Sequence, residues 1–249
     1  MKESVKTEQM QDIGGIKLYY EFVEKPNSKV TVVFEAGYGC PSEYWGPIKD
    51  SIGEFTQYVV YDRPGLGKSE TDYRPKDSSQ AVENLRALLK GVNIKPPYVL
   101  VGHSIGGINV RLYASKYPEE VAAIVLLDSC HPDQNIILPS LFNEDIRDNY
   151  FNQFTIEGNL RDINTSFDQV RHCTSLGEMP VKVVSAGLQS YHTEASFAAW
   201  NLFQRDLLHL SKNSKHIIVE NASHAIHIDQ PRSVATVIQY TLEEIKSLI

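Results

Sequence analysis

Short continuous apolar runs alternate along most of the chain with stretches in which apolar residues recur every three or four positions. The continuous runs, rich in β-branched residues, predict buried strands, and the periodic stretches predict amphipathic helices. Strands that alternate with helices favour an α/β fold with a mostly parallel central sheet and helices on both faces. The predicted strands cover residues 30–35, 58–61, 98–101, 121–127, 181–186 and 216–219.

The N-terminal region carries a different signal. Gly14-Gly15 is typical of a turn, and together with the residues from Lys17 to Phe22 it predicts a short hairpin over residues 13–23. Residues 1–11 are polar, contain both charge signs, and lack the apolar run of a secretory signal. We therefore expect no export signal in this stretch.

The alternation of strands and helices stops between residues 129 and 179. This stretch is polar and aromatic and contains no buried-strand run. From Asp133 to Glu178 it holds eight Asp and Glu residues, three Arg and no Lys, a net charge of −5. We predict that 129–179 is an inserted, mostly helical segment, and that 1–128 and 180–249 form one core domain.

Composition and charge limit the possible partners. The formal net charge of −7 argues against nucleic acid or an anionic membrane, and no apolar run is as long as a membrane span. The three cysteines have no metal-ligand spacing and leave one unpaired, which favours a reduced, cytoplasmic compartment. We expect a small-molecule substrate, no metal, no cofactor, and a monomer or homodimer.

One predicted strand runs directly into a predicted helix at Gly102-His103-Ser104-Ile105-Gly106. This is the G-x-S-x-G pattern of a nucleophile elbow, in which a tight turn exposes the serine at the edge of the sheet. The two glycines allow the strand and the helix to approach each other closely. We therefore predict that Ser104 is a nucleophile on a strained turn.

A serine hydroxyl needs a base within hydrogen-bond reach, and that base needs an acid that orients it. His224 lies in the loop after the last predicted strand, which opens at the same edge of the sheet as Ser104. His227 lies three residues further on and is the closest rival. We predict that His224 is the base and that His227 is a structural partner.

The chain resembles capped, esterase-like enzymes of the α/β-hydrolase fold from Ile16 to the C-terminus. The resemblance rests on the elbow, on the stretch from Asp62 to Ser69 after the preceding strand, and on the loop from His224 to Pro231. It implies a triad in the chain order Ser–acid–His, an oxyanion hole, and a helical cap in the place of the inserted segment.

The loop after the third strand departs from the family pattern. Similar enzymes often have His-Gly there, whereas this chain has Ala36-Gly37. The oxyanion donor is the backbone N–H of the following residue, so the substitution leaves that donor in place. We expect the amides of Tyr38 and Ile105 to form the oxyanion hole.

The position of the acid also differs from the family pattern. Most members of the family carry it after the seventh strand, where this chain has Gly187-Leu188-Gln189-Ser190 and no carboxylate. Asp128 follows the apolar run 121–127, and a carboxylate at the end of a buried strand is costly unless it has a partner. We predict that Asp128 is the acid, with Glu194 and Asp133 as alternatives.

A serine nucleophile favours acyl transfer to water, with carboxylesters first and amides, thioesters or carbon–carbon bonds as alternatives. Because fold alone does not determine function, a ligand receptor without catalytic activity is the competing class. The candidates for an apolar substrate pocket are Tyr38, Trp45, Tyr150, Phe151 and Phe154.

Overall fold

A single mixed β-sheet forms the centre of the computed structural model, which describes residues 5–246. Its strands are β1 (Val5–Asp12), β2 (Lys17–Glu24), β3 (Thr31–Glu35), β4 (Gln57–Tyr61), β5 (Tyr98–His103), β6 (Val121–Leu127), β7 (Val181–Ala186) and β8 (Ser214–Val219). Their order across the sheet is β1-β2-β4-β3-β5-β6-β7-β8. The β1–β2 and β2–β4 pairs are antiparallel, whereas the strands from β4 to β8 run parallel.

Helices cover both faces of the sheet, because successive strand residues point to opposite sides. One face packs against α2, α3 and α6 and the other against α1 and α9, as buried clusters on the two sides show. This confirms the α/β fold predicted from the sequence. The helices are α1 (Gly46–Gly53), α2 (Ser78–Gly91), α3 (Ile105–Lys116), α4 (Gln134–Ile137), α5 (Glu144–Asn152), α6 (Leu160–Arg171), α7 (Glu194–Asp206), α8 (Ile226–Asp229) and α9 (Pro231–Ile245).

The N-terminal hairpin is longer than predicted and begins earlier. Its turn lies at Gly14-Gly15 as expected, where both amides donate to Asp12 Oδ1 at 2.7 and 2.9 Å. The first strand, however, is 5–12, which the prediction over 13–23 left out. This strand is polar because it lies at the edge of the sheet and pairs only with β2. Residues 1–4 and 247–249, which the predicted domain bounds include, lie outside the described residues.

Residues 129–179, which we call the β6–β7 segment, contain α4, α5 and α6. Of these, α6 packs on the helical layer beneath it through buried Ile163, Phe167 and Val170. The segment therefore lies at the carboxyl edge of β6 and close to the end of β5. Within residues 5–246, the helices are all too short or too polar to cross a membrane.

Candidate active site

The turn between β5 and α3 places Ser104 in a strained conformation. Its φ and ψ are 55° and −121°, which a residue with a side chain rarely adopts. A Cβ on Gly106 would overlap the Glu35 carbonyl oxygen, and one on Gly102 would lie 2.5 Å from the Gly106 carbonyl oxygen. The turn is held by a hydrogen bond of 3.1 Å from the Ser104 amide to the Leu127 carbonyl. These contacts explain why both elbow positions need glycine.

Asp128, directly after β6, is completely buried and has a positive φ of 41°. Its Oδ1 accepts hydrogen bonds from the Ala186 amide at 3.1 Å and from Trp200 Nε1 at 3.0 Å. Its Oδ2 accepts from Gln189 Nε2 at 2.6 Å and lies 2.7 Å from His224 Nδ1. Four partners thus surround a carboxylate that would otherwise be costly to bury.

His224 lies between β8 and α8, with 36% of its side chain exposed. Its backbone carbonyl lies 2.9 Å from His103 Nε2, and the two imidazole rings are 4.7 Å apart. Burial, followed by the neighbouring His224 and His227, lowers the pKa of His103 well below its usual range. A neutral His103 can donate from Nε2 to this carbonyl, which fixes the backbone of the predicted base.

The predicted nucleophile and base line the same cavity. The Ser104 hydroxyl lies 3.6 Å from Cys130 Sγ, and among the described residues no hydrogen bond joins it to the His224 ring. Burial raises the pKa of the Cys130 thiol to about 12, so the thiol is neutral at physiological pH. Hydrogen bonds of this kind are often long in a free enzyme and tighten when substrate binds.

The rival residues lie elsewhere. His227 is 1% exposed, with its ring 4.4 Å from that of Trp45, and burial lowers its pKa to about 4. Asp133 forms an ion pair with Arg171, and Glu194 is exposed at the start of α7. Of the three candidate acids, the structure brings only Asp128 to His224.

A cavity of about 410 Å³ lies between the elbow and the β6–β7 segment. Aromatic and aliphatic side chains dominate it, and no Asp, Glu, Lys or Arg of residues 5–246 lines it. Its apolar wall includes Tyr38, Ile105, Leu138, Phe142, Ile146, Tyr150, Phe154, Ile163, Phe167 and Trp200.

Two predicted pocket residues are not part of this wall. Trp45 is 1% exposed and packs its ring against Phe34 at 4.8 Å, within the core on the other face of the sheet. Phe151 packs edge-on against Tyr150 at 5.3 Å and does not reach the cavity. On a helix, neighbouring residues point in different directions, so Tyr150 lines the cavity and Phe151 does not.

Tyr38 and Ile105, whose amides are the predicted oxyanion donors, line the same cavity as Ser104. Ile105 is the first residue of α3, where helical amides have no partner within the helix. Tyr38 follows Gly37 in the loop after β3, and a Cβ on Gly37 would lie 2.8 Å from the His103 ring. Neither amide donates a hydrogen bond to another described residue.

Other features of the site were not predicted from the sequence. Gln189 and Trp200 hold the Asp128 carboxylate, yet they lie 61 and 72 residues away from it in the chain. Arg63 and Glu157 form a buried ion pair beside Tyr38. The partnerships have no local sequence pattern, because each depends on the sheet bringing distant segments together.

Comparisons with known proteins agree with this architecture. The family described as "alpha/beta hydrolase fold" matches residues 30–182. "Uncharacterized protein YqjL" of Bacillus subtilis (strain 168) is 34% identical over 214 residues, which cover 84% of this chain and 82% of that protein. The chain spans less than half of the length of several other curated relatives that it matches.

Two solved structures share the fold at low sequence identity. Cfl2 from Burkholderia cenocepacia is 20% identical with a TM-score of 0.73, over 94% of this chain and 95% of that one. A thermophilic esterase from Thermogutta terrifontis is 17% identical with a TM-score of 0.67, over 98% and 99% of the two chains. The family matches more than half of this chain, and the Bacillus relative is 34% identical over most of its length. The chain therefore belongs to the alpha/beta hydrolase fold family.

Proposed function

We propose that the chain is a serine hydrolase that cleaves ester bonds in small molecules through an acyl-enzyme on Ser104. The observation that carries the proposal is the distance of 2.7 Å between His224 Nδ1 and the buried Asp128 carboxylate, beside a strained serine on the same cavity. Residues 1–128 and 180–249 act as the catalytic core, and 129–179 act as the cap. The membership of the family supports a hydrolase in general.

In the proposed reaction, Ser104 Oγ attacks the ester carbonyl and His224 Nε2 takes its proton. Asp128 holds the proton on Nδ1, so that Nε2 is free to accept, and stabilises the imidazolium that forms. The amides of Tyr38 and Ile105 donate to the carbonyl oxygen as it becomes negative. Rotation about χ1 of Ser104 moves its hydroxyl from Cys130 towards the base.

The tetrahedral intermediate then collapses and the alcohol leaves with the proton from His224. Water attacks the acyl-enzyme with His224 as base, and a second collapse releases the acid and restores Ser104. The nucleophile, the base, the acid and the oxyanion donors in this cycle are all groups of the chain, and water is the acceptor of the acyl group. The cavity wall, to which no Asp, Glu, Lys or Arg of residues 5–246 contributes, suits an uncharged small molecule.

Replacement of Ser104 by alanine tests the proposal. We expect wild type to hydrolyse a short-chain nitrophenyl ester and Ser104→Ala to lose about 10⁴- to 10⁶-fold in kcat, with an unchanged circular dichroism spectrum. A fluorophosphonate should label wild type at Ser104 and leave the variant unlabelled. Activity of the folded variant near the wild-type value would contradict the proposal.

The alternative is a protein of this fold that binds a ligand without turning it over. It is favoured by the Ser104 hydroxyl, which contacts Cys130 Sγ at 3.6 Å and, among the described residues, makes no hydrogen bond to the His224 ring. Wild type that binds apolar esters but neither cleaves them nor reacts with the fluorophosphonate would support this alternative. Turnover of amides or of carbon–carbon bonds beside a carbonyl, in preference to esters, would assign the same groups to a different bond.

A further inference from the structure

A buried guanidinium holds the loop that contains the proposed oxyanion donor. Arg63 lies just after β4, and its side chain is 5% exposed. Its Nη1 donates to the Ala36 carbonyl at 2.7 Å, and its Nη2 donates to the Gly37 carbonyl at 2.6 Å. These carbonyls belong to the two residues before Tyr38, so the guanidinium fixes the backbone on one side of that residue.

The hydrogen bond to Gly37 also sets the direction of the Tyr38 amide. The Gly37 carbonyl and the Tyr38 N–H belong to one trans peptide unit, which is planar, so the two groups point in opposite directions. A donor that binds the carbonyl on one side therefore aims the N–H to the other side. Since Gly37 has no side chain, the restraint on this peptide has to come from its neighbours.

Two carboxylates fix Arg63 in turn. Glu157, from the β6–β7 segment, accepts from Arg63 Nε and, at 2.8 Å, from Nη2, while Glu35 accepts from Nη1 at 3.0 Å. Together with the two carbonyls, they use all five N–H donors of the guanidinium. Burial opposes ionisation of Glu157, but the Arg63 charge outweighs it and the pKa of this carboxyl lies below its usual value. The bidentate geometry fixes orientation as well as position.

Glu157 and its neighbour also bond to the loop directly. Glu157 Oε2 accepts from the Gly39 amide at 3.0 Å. The amides of Glu157 and Gly158 lie 3.2 and 3.1 Å from the Tyr38 hydroxyl, which donates to the Gly158 carbonyl at 3.2 Å. The backbone on both sides of Tyr38, and its side chain, are thus bonded to Arg63 or to the β6–β7 segment.

We propose that Arg63 and Glu157 are positioning residues for the oxyanion hole. Arg63 aims the Tyr38 amide at the reacting carbonyl, and Glu157 holds Arg63 and connects the loop to the β6–β7 segment. The loop has Ala36 where similar hydrolases often have histidine, and it takes its rigidity from this ion pair instead. The inference rests on the proposed function, since it assigns the Tyr38 amide to the oxyanion.

The test is Glu157→Gln, which keeps the size of the side chain and removes its charge. We expect kcat for a nitrophenyl ester to fall about 10- to 100-fold, less than the loss of a whole oxyanion donor, with KM within about two-fold. The pH dependence of kcat/KM should be the same as in wild type, because the substitution does not alter the Asp128–His224 pair. The matched control is Asp133→Asn, which removes a carboxylate paired with Arg171 in the same segment and should keep kcat within about two-fold.

Hydrogen exchange gives a readout that does not depend on turnover. The amides of residues 37–39 should exchange faster in Glu157→Gln than in wild type, and should be unaffected in Asp133→Asn. If Glu157→Gln does not fold, Glu157→Asp, which shortens the side chain by one methylene, replaces it with the same expectations. Wild type that cleaves no ester overturns the proposed function alone. Unchanged exchange, or an unchanged kcat where wild type is active, overturns the positioning role.

Discussion

The surroundings of single residues distinguish the three candidate acids from one another. Asp128 is a carboxylate with no exposure to solvent and four hydrogen-bonding partners, one of which is His224. A buried carboxyl group with this many partners is held rigidly, and its position 2.7 Å from His224 Nδ1 favours the tautomer with the proton on that nitrogen. Asp133 is partly exposed and Glu194 is exposed, and neither contacts the His224 ring. The difference is one of preorganisation, because all three residues carry the same functional group.

Replacement of Asp128 by asparagine should therefore be the most damaging change among the three acids. The amide keeps the shape of the side chain but favours the wrong imidazole tautomer, and we expect kcat to fall by up to about 10⁴-fold. Glu194→Gln and Asp133→Asn should keep kcat within about two-fold, because neither residue contacts the His224 ring. Steady-state kinetics on the three variants, with thermal unfolding as a check of folding, measures this. A dead Glu194→Gln would reassign the acid.

At the scale of elements, the sequence predicts what depends on neighbouring residues and misses what depends on distant ones. The elbow is encoded in five successive residues, and the apolar run of β6 places Asp128 at a strand end. In contrast, β1 was missed because an edge strand exposed to solvent on both faces has no apolar pattern. The partners of Asp128 were missed for another reason, since Gln189 and Trp200 reach it only after β7 and α7 are packed.

The β6–β7 segment supplies much of the cavity wall, but its charged side chains do not line the cavity. Although the segment carries many carboxylates, no Asp, Glu, Lys or Arg side chain of residues 5–246 lines the cavity. The hydroxyl of Tyr150 accepts from Gln134 Nε2 at 2.6 Å and donates to Asn135 Oδ1, so its polar end is occupied. A charged substrate group would lose its hydration here and gain no counter-ion.

This wall predicts selection against charged acyl groups. We expect nitrophenyl pentanoate to be cleaved with a kcat/KM at least about 100-fold above that of mono-nitrophenyl glutarate, in which a carboxylate replaces the terminal methyl group. Because the two acyl chains have the same number of carbons, length does not contribute to the difference. Competition between the two esters in one reaction measures the ratio directly. Equal rates would mean that the acyl group stays in solvent rather than in the cavity.

At the scale of the whole molecule, the candidate site is a product of the sheet rather than of any single segment. Parallel strands bring their carboxyl ends to one edge, so that β5, β6 and β8 each contribute one group of the proposed triad. Three imidazole rings meet at the same edge. The ring of His103 lies 4.7 Å from that of His224 and 4.7 Å from that of His227. Two of these rings are buried, which couples the stability of the fold to pH.

We therefore expect the free energy of unfolding to decrease as the pH is lowered, over a range set by the pKa of His227. Burial lowers the pKa of its imidazole to about 4, from an ordinary value of 6.5, with a smaller contribution from His224. Between pH 6.5 and 4, His227 is protonated in the unfolded state and neutral in the folded state. The contribution of neutral His227 to stability is therefore complete above pH 6.5 and is lost as the pH falls from there towards 4. Between pH 7.5 and 5 this amounts to about 2 kcal/mol of unfolding free energy. Urea titrations of wild type and His227→Gln at both pH values isolate it, because the acidic groups contribute equally to both proteins. If the two proteins lose the same free energy, His227 is already protonated or solvated in the folded state.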